Sequence, residues 1–193
     1  MTQHNPPRLL LASASPRRSE LLATLGVSFD VRAANIDEAV RSGESPRAYV
    51  QRMARDKAAA LVSRVEGRAA VLAADTTVVA DGRILGKPAD RAESRLMLGL
   101  LSGREHQVYT AVALALDGTL NEHLAVTAVQ FRHLSATEID AYWDTREPED
   151  KAGGYAIQGL GAVFVREIRG SYSGVVGLPL YENVNPDTGG TPL

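Results

Sequence analysis

The stretch Leu9-Leu-Leu-Ala-Ser13-Ala-Ser-Pro-Arg-Arg18 decides how the rest of the chain is read. Its apolar start, Leu9 to Ser13, is short and unbroken, as expected for a buried strand. It turns at once into a helix start. Ser15 can cap the helix, Pro16 suits its first position, and Gly26 can stop a helix from Pro16 to Leu25. A buried strand feeding directly into a helix is the unit from which α/β sheets are built.

Working outward, Phe29 to Arg32 reads as a second short strand, and Ser45-Pro46 repeats the cap-and-proline start. Val50, Met53, Ala54, Ala58, Leu61 and Val62 then line one face of a helix. Val71 to Ala80 is rich in β-formers and ends at an Asp81-Gly82 turn. Asp90 can cap a helix through Leu101, closed by Gly103. The second half changes character. Gln107 to Leu116 and Leu124 to Phe131 are long strand candidates joined through Asp117-Gly118. Ser135-Ala-Thr-Glu138 is a capping box before a helix to about Thr145, and Ala162 to Ile168 reads as another strand. The expectation is an α/β chain with a mixed sheet, parallel early and antiparallel later. Residues 1–7 and 183–193, polar or rich in Asn, Pro, Gly and Thr, read as flexible ends around one domain over residues 8–182.

A chain of 193 residues can bury well over half of its unfolded surface and needs no staple. It contains 0 cysteines, which excludes disulfides, thiolate metal sites and a cysteine nucleophile. The formal net charge of -2 supplies no basic field to draw it onto nucleic acid or an anionic membrane. No apolar run approaches the roughly 20 residues that span a bilayer, and the polar start lacks a signal-peptide core. These features read as a cytosolic protein.

Five segments could carry chemistry. At Ser13 to Arg18, free N–H groups at a helix start, two hydroxyls and two guanidinium groups make a phosphate cradle; the same residues also read as a helix cap with two solvated arginines. Asp75, inside an apolar β run, is costly to bury unless paired or metal-bound. Its place suggests the carboxyl end of a strand, where α/β sheets bind ligands. Asp37-Glu38 can hold a hard cation through oxygen ligands, or be a solvated acidic loop. Lys57 lies toward the apolar face of its helix and either snorkels or reaches into a cleft; Lys87, in Gly86-Lys-Pro88, is the second ammonium that could neutralise a triphosphate. In Lys151-Ala-Gly-Gly-Tyr-Ala-Ile-Gln158-Gly-Leu-Gly161 the glycines permit close backbone approach, and the Gln158 amide can pair with a base edge. The four histidines, His4, His106, His123 and His133, have no metal-ligand spacing. No Gly-x-Ser-x-Gly elbow is present.

Taken in order, Leu11-Ala-Ser-Ala-Ser-Pro-Arg-Arg18, Arg55-Asp-Lys-Ala58, Ala74-Asp-Thr76, Gly86-Lys-Pro88, Lys151 to Gly159, and Gly170-Ser-Tyr-Ser-Gly-Val-Val-Gly-Leu-Pro179 resemble the Maf family of nucleoside triphosphate pyrophosphatases. The resemblance covers about Leu9 to Glu182. It implies an elongated mixed β-sheet flanked by helices, with two lobes around a deep cleft, similar to the inosine triphosphatase architecture. It also implies cleavage between the α and β phosphates with a divalent cation, Mg2+ or Mn2+. By the same resemblance Asp75 is the general base and, with Glu38, sits at the metal. Ser13, Arg18, Lys57 and Lys87 match phosphate-holding positions. Arg17, Thr76 and Gln158 match the base-selecting positions, with the identities of the branch that hydrolyses dTTP and UTP; the 7-methyl-GTP branch carries Trp, Gln and Glu there. A homodimer is implied too; the acidic net charge and the low aromatic content, 5%, speak against a nucleic-acid partner, and the lack of a spanning apolar run against a membrane one. The Asn/Pro/Gly-rich tail departs from the family pattern. A non-catalytic nucleotide-binding regulator of cell division or septum formation is the alternative reading.

Overall fold

The computed structural model describes residues 7–181; the expected flexible ends fall outside the described residues, Pro7 apart. In chain order the elements are β1 (Arg8–Leu11), α1 (Pro16–Ala23), β2 (Phe29–Val31), α2 (Pro46–Val62), β3 (Ala69–Ala80), β4 (Arg83–Leu85), α3 (Arg91–Leu101), β5 (Glu105–Leu116), β6 (Thr119–Phe131), α4 (Ala136–Asp144), β7 (Val165–Arg169) and α5 (Tyr172–Val176). Three 3-10 turns, Glu147–Asp150, Ala152–Gly154 and Leu160–Phe164, lie between α4 and β7. The strands form one 7-stranded sheet in the order β2-β1-β3-β5-β6-β7, with β4 also on β3. β1 pairs parallel with β2 and β3, and all other pairings are antiparallel. No helix among the described residues is long and apolar enough to cross a membrane.

Local chemistry accounts for most element ends. Ser45 Oγ accepts from the Ala48 N–H at 3.3 Å, Asp90 from Glu93 at 2.8 Å, and Ser135 forms a full capping box with Glu138. Asp81-Gly82 and Asp117-Gly118 both have two successive positive φ values, 50° and 72° in the first, 49° and 78° in the second. That is the geometry a two-residue hairpin turn demands.

Three expectations are corrected, and two short elements were not foreseen. Ser15 makes no side-chain cap to α1; its own N–H instead donates to Ser13 Oγ at 3.1 Å. The strand expected from Ala162 starts only at Val165, because residues 160–164 wind into a 3-10 turn. β4 and α5 are too short, three and five residues, to leave a periodic signal. Asp75 does not end its strand: β3 runs on to Ala80.

The register of β3 explains how a mid-strand residue still reaches a cavity. One edge of β3 pairs with β5 from Val71 to Val79. The other edge takes β1 over Ala69 to Leu72 and β4 over Val78 to Ala80. Between these partners, from Ala73 to Thr77, that edge carries no strand. Successive side chains of β3 alternate faces. Val71 and Ala73 pack with Val50, Ala54 and Ala58 of α2; Leu72 and Ala74 pack on the opposite face with Leu22 of α1 and Leu178. Val78 and Ala80 join a further cluster with Leu98 and Leu101 of α3 and Ile139 and Tyr142 of α4.

Candidate active site

Asp75 and Thr76 are neighbours that leave β3 on opposite faces, and each meets the helix packed there. On one side Lys57 of α2 approaches Asp75, its Nζ 2.7 Å from Oδ1. The same ammonium lies 2.7 Å from Glu38 Oε1. Lys57 and Asp75 are 8% and 7% exposed, so Lys57 does not snorkel; it is a buried cation between two carboxylates. Such burial is tolerated only because charge meets charge. Burial raises the Asp75 pKa, opposed by the positive charges of Lys57 and Arg18. At Glu38 burial also acts upward, but the hydrogen bond and charge of Lys57 outweigh it and the net direction is down.

Glu38 belongs to no helix or strand, yet it is braced. The Tyr49 hydroxyl donates to the Glu38 carbonyl at 3.1 Å, and Arg52 Nη2 donates to the Ala39 carbonyl at 3.0 Å. Arg52 is itself gripped by both Glu44 oxygens at 2.6 Å, and that bond holds the Glu44 carboxyl down at about 2. α2 therefore supplies Lys57 and fastens the segment that brings Glu38 to it.

On the other face Arg18 of α1 spreads its guanidinium over three partners: the Gly177 carbonyl at 2.8 Å, Ser13 Oγ at 3.4 Å and Thr76 Oγ1 at 3.2 Å. Behind Thr76 stands buried Thr110, with Oγ1 2.7 Å from the Gly174 carbonyl and 3.0 Å from Thr76 Oγ1. Thr110 has one hydroxyl proton, and a carbonyl can only accept. The proton of Thr110 therefore goes to Gly174, and the remaining contact is made by the proton of Thr76. With Arg18 donating to it as well, the Thr76 oxygen faces the cavity as an acceptor.

These groups line a cavity of about 480 Å3, within the size range of small-molecule sites. The far wall supplies Lys87, after β4, and Gln158, on the turn that precedes the Leu160–Phe164 3-10 segment. Arg17 faces the cavity from α1, its Nη1 3.5 Å from Asp150 Oδ2, and Lys151 also pairs with Asp150. Ser13, Arg17, Arg18, Glu38, Lys57, Asp75, Thr76, Lys87 and Gln158 thus all border one cavity, although they span residues 13 to 158. Asp37 stands apart: its Oδ1 accepts from the Ala39 N–H at 3.0 Å, a local turn.

Among the described residues no group of three His, Cys, Asp or Glu converges on one point. Glu38 and Asp75 do converge, on the Lys57 ammonium. Two carboxylates fit a hard cation that draws its remaining ligands from phosphate oxygens and water, and do not fit a closed protein cage. Sequence reasoning missed the Arg52–Glu44 brace and Thr110, because neither side chain is unusual until its partner is known. It also missed the Gly177 carbonyl, although Gly177 lies within Gly170 to Pro179, one of the segments that carry the family resemblance.

The family profile described as "Maf-like protein" matches residues 8–185. A dTTP/UTP pyrophosphatase of Methylococcus capsulatus is 53% identical over 175 residues, covering 91% of this chain and 87% of that protein. A dTTP/UTP pyrophosphatase of Vibrio cholerae is 50% identical over 175 residues, covering 91% and 94%. Among solved structures, a HAM1 protein from Coxiella burnetii aligns with a TM-score of 0.46 at 17% identity, covering 82% and 92%.

Proposed function

The chain belongs to the Maf family, and from that premise we propose that it hydrolyses dTTP and UTP to the monophosphate and pyrophosphate in the cavity at Asp75. The main support is the open edge of β3. It lets the buried Lys57–Asp75 pair, joined by the exposed Glu38 carboxylate, and an arginine-held hydroxyl set from the other face border a single cavity. A site for a polyanion needs cations, and hydrolysis needs a base; both are present within it.

In this reading the triphosphate lies along Ser13, Arg18, Lys57 and Lys87. The N–H groups at the start of α1 have no intrahelical partner and face the anion. Asp75 takes a proton from water as the water oxygen attacks the α phosphorus. The bond from that phosphorus to the bridging oxygen breaks, and the charge that builds on the departing pyrophosphate is offset by Arg18, Lys57 and Lys87. Burial makes Asp75 a stronger base than an exposed carboxylate, while Lys57 keeps its anion attainable. Glu38 and Asp75 would hold Mg2+ or Mn2+, which when bound neutralises phosphate charge and polarises the reacting phosphoryl group. Gln158, Arg17 and Thr76 would meet the base. An imide edge offers an N–H between two carbonyls, which suits the Gln158 amide and the Thr76 acceptor. The proposal extends to a cytoplasmic homodimer with no nucleic-acid partner.

Separating the products formed from a panel of nucleoside triphosphates with Mg2+ tests it. Monophosphate and pyrophosphate, formed fastest from dTTP and UTP, are expected. Diphosphate and phosphate would overturn the mechanism, and equal rates from all bases would overturn the substrate assignment.

A further inference from the structure

The turn that carries Gln158 is organised from behind by two side chains that do not border the cavity. Glu147, in the 3-10 turn after α4, takes the Leu160 N–H on Oε2 and the Gly161 N–H on Oε1, both at 2.9 Å. Its Oε1 also accepts the Tyr142 hydroxyl proton at 2.7 Å. The Tyr142 oxygen in turn accepts the Ala156 N–H at 3.0 Å. One carboxylate and one phenol therefore hold backbone groups on both sides of Gln158. Within the turn the Gly159 N–H donates to the Ala156 carbonyl at 3.2 Å.

The fit is steric as well as polar. A Cβ at Gly159 would run into the Glu147 carboxylate, and a Cβ at Gly161 would lie 2.7 Å from the Tyr142 oxygen and 2.8 Å from the Ala156 carbonyl. Both glycines are there because the dyad occupies the space a side chain would take. Tyr142 is 5% exposed and stands edge-on to Phe164, with ring centroids 4.9 Å apart, so the phenol has little freedom to move. The Gln158 side chain, by contrast, is exposed at the cavity and makes no hydrogen bond among the described residues. Its backbone is held while its amide stays available.

We infer that Glu147, acting with Tyr142, is a positioning residue for base selection: it fixes the turn that aims the Gln158 amide at the base and takes no part in phosphate chemistry. The inference rests on the base-selecting role proposed above for Gln158. A carboxylate accepts three hydrogen bonds here, and an amide in its place has only one oxygen to offer. Glu147→Gln therefore loosens the turn without emptying the space. Small displacements of a positioning group cost selectivity steeply.

The test measures kcat and KM for UTP and for GTP in the parent, Glu147→Gln, Tyr142→Phe, Gln158→Ala and Glu147→Gln/Gln158→Ala. The parent is expected to prefer UTP. Glu147→Gln should lower the ratio of kcat/KM for UTP to that for GTP by about tenfold, mainly through KM for UTP, with GTP turnover little changed. In the Gln158→Ala background the same change should have no further effect on that ratio, because it acts through Gln158. Tyr142→Phe removes one link and keeps the ring packing; it gives the same direction with a smaller loss, and it serves alone if Glu147→Gln does not fold. Equal proportional losses for UTP and GTP, an unchanged ratio in the folded variants, or a full additional loss in the double variant would overturn the inference while leaving the substrate assignment intact. A parent that shows no preference between bases would overturn that assignment first, and this inference with it.

Discussion

The two walls of the cavity are stiffened by opposite means. On the wall built from α1, α2 and the edge of β3, charge holds charge: Lys57 is locked between Asp75 and Glu38, and Arg18 is spread over Gly177, Ser13 and Thr76. On the wall around Gln158, one concealed carboxylate–phenol pair holds the backbone and leaves the presented amide unengaged. The first wall is preorganised for a ligand whose charge is large and invariant, a polyphosphate. The second is rigid in its main chain and open in its side chain, which suits a neutral edge that must be told from others. Damage to the charged groups of the first, Arg18, Lys57 and Asp75, should affect every nucleotide alike, and damage to the second, or to Arg17 and Thr76 at the junction, should affect the choice among them.

The largest expected effect breaks the charged wall at its base. Asp75→Asn should lower kcat by about a thousandfold for all triphosphates, within the range for losing a general base. Nucleotide binding should survive. Single-turnover assays alongside a binding titration check this; a variant that hydrolyses dTTP at the parent rate removes Asp75 from the mechanism.

Next in size, Lys57→Met should cost about 3–5 kcal/mol of stability, because it leaves Asp75 buried without its cation. Urea unfolding would read the loss. The double variant Lys57→Met/Asp75→Asn should recover part of it, since no unpaired charge is left buried.

The support beneath the second wall is predicted to respond to acid. His106 is 3% exposed, its Nε2 lies 2.8 Å from the hydroxyl of cavity-lining Tyr155, and Phe131 packs edge-on against it. Burial pushes its pKa down from 6.5 to about 4. The unfolded chain then binds a proton more readily than the folded one, so this contribution to stability is fully present above pH 6.5. It is lost as pH falls from 6.5 toward 4, about 3 kcal/mol in all. In His106→Gln that part of the pH dependence should be missing; thermal unfolding across this window with the same slope in both proteins would contradict it.

The smallest effect sharpens the comparison where the walls meet. Thr110→Val removes the group that takes the Thr76 proton, freeing that hydroxyl to donate into the cavity. Stability should fall by about 1 kcal/mol. The preference for UTP over CTP should narrow, because CTP presents a ring nitrogen that accepts where UTP presents an N–H. Competition kinetics with the two nucleotides reads it, and an unchanged preference would mean that Thr76 does not meet the base.

Much of this molecule is legible along the chain. The Asp-Gly pairs at 81–82 and 117–118 specify hairpin turns because few residue pairs tolerate two positive φ values. Ser45, Asp90 and Ser135 announce their helices because a cap needs only its own next turn. Asp75 stands out because a carboxylate in an apolar run must be compensated. Glu147 gives no such signal: its partners are main-chain N–H groups thirteen and fourteen residues on, which every residue but proline possesses. Arg52 and Glu44 look like ordinary surface charges for a similar reason.

By itself, then, the sequence determined the local inventory: which segments are strands or helices, where the turns fall, and which side chains are out of place unless they serve a site. These depend on each residue's own geometry and its nearest neighbours along the chain. Only the tertiary structure decided that β1 stops opposite Leu72 and that β4, running the other way, stops opposite Val78. That leaves the edge of β3 open at Asp75, mid-strand rather than at a strand end. Register is a property of several strands pairing at once, so no single segment encodes where one partner ends and the next begins.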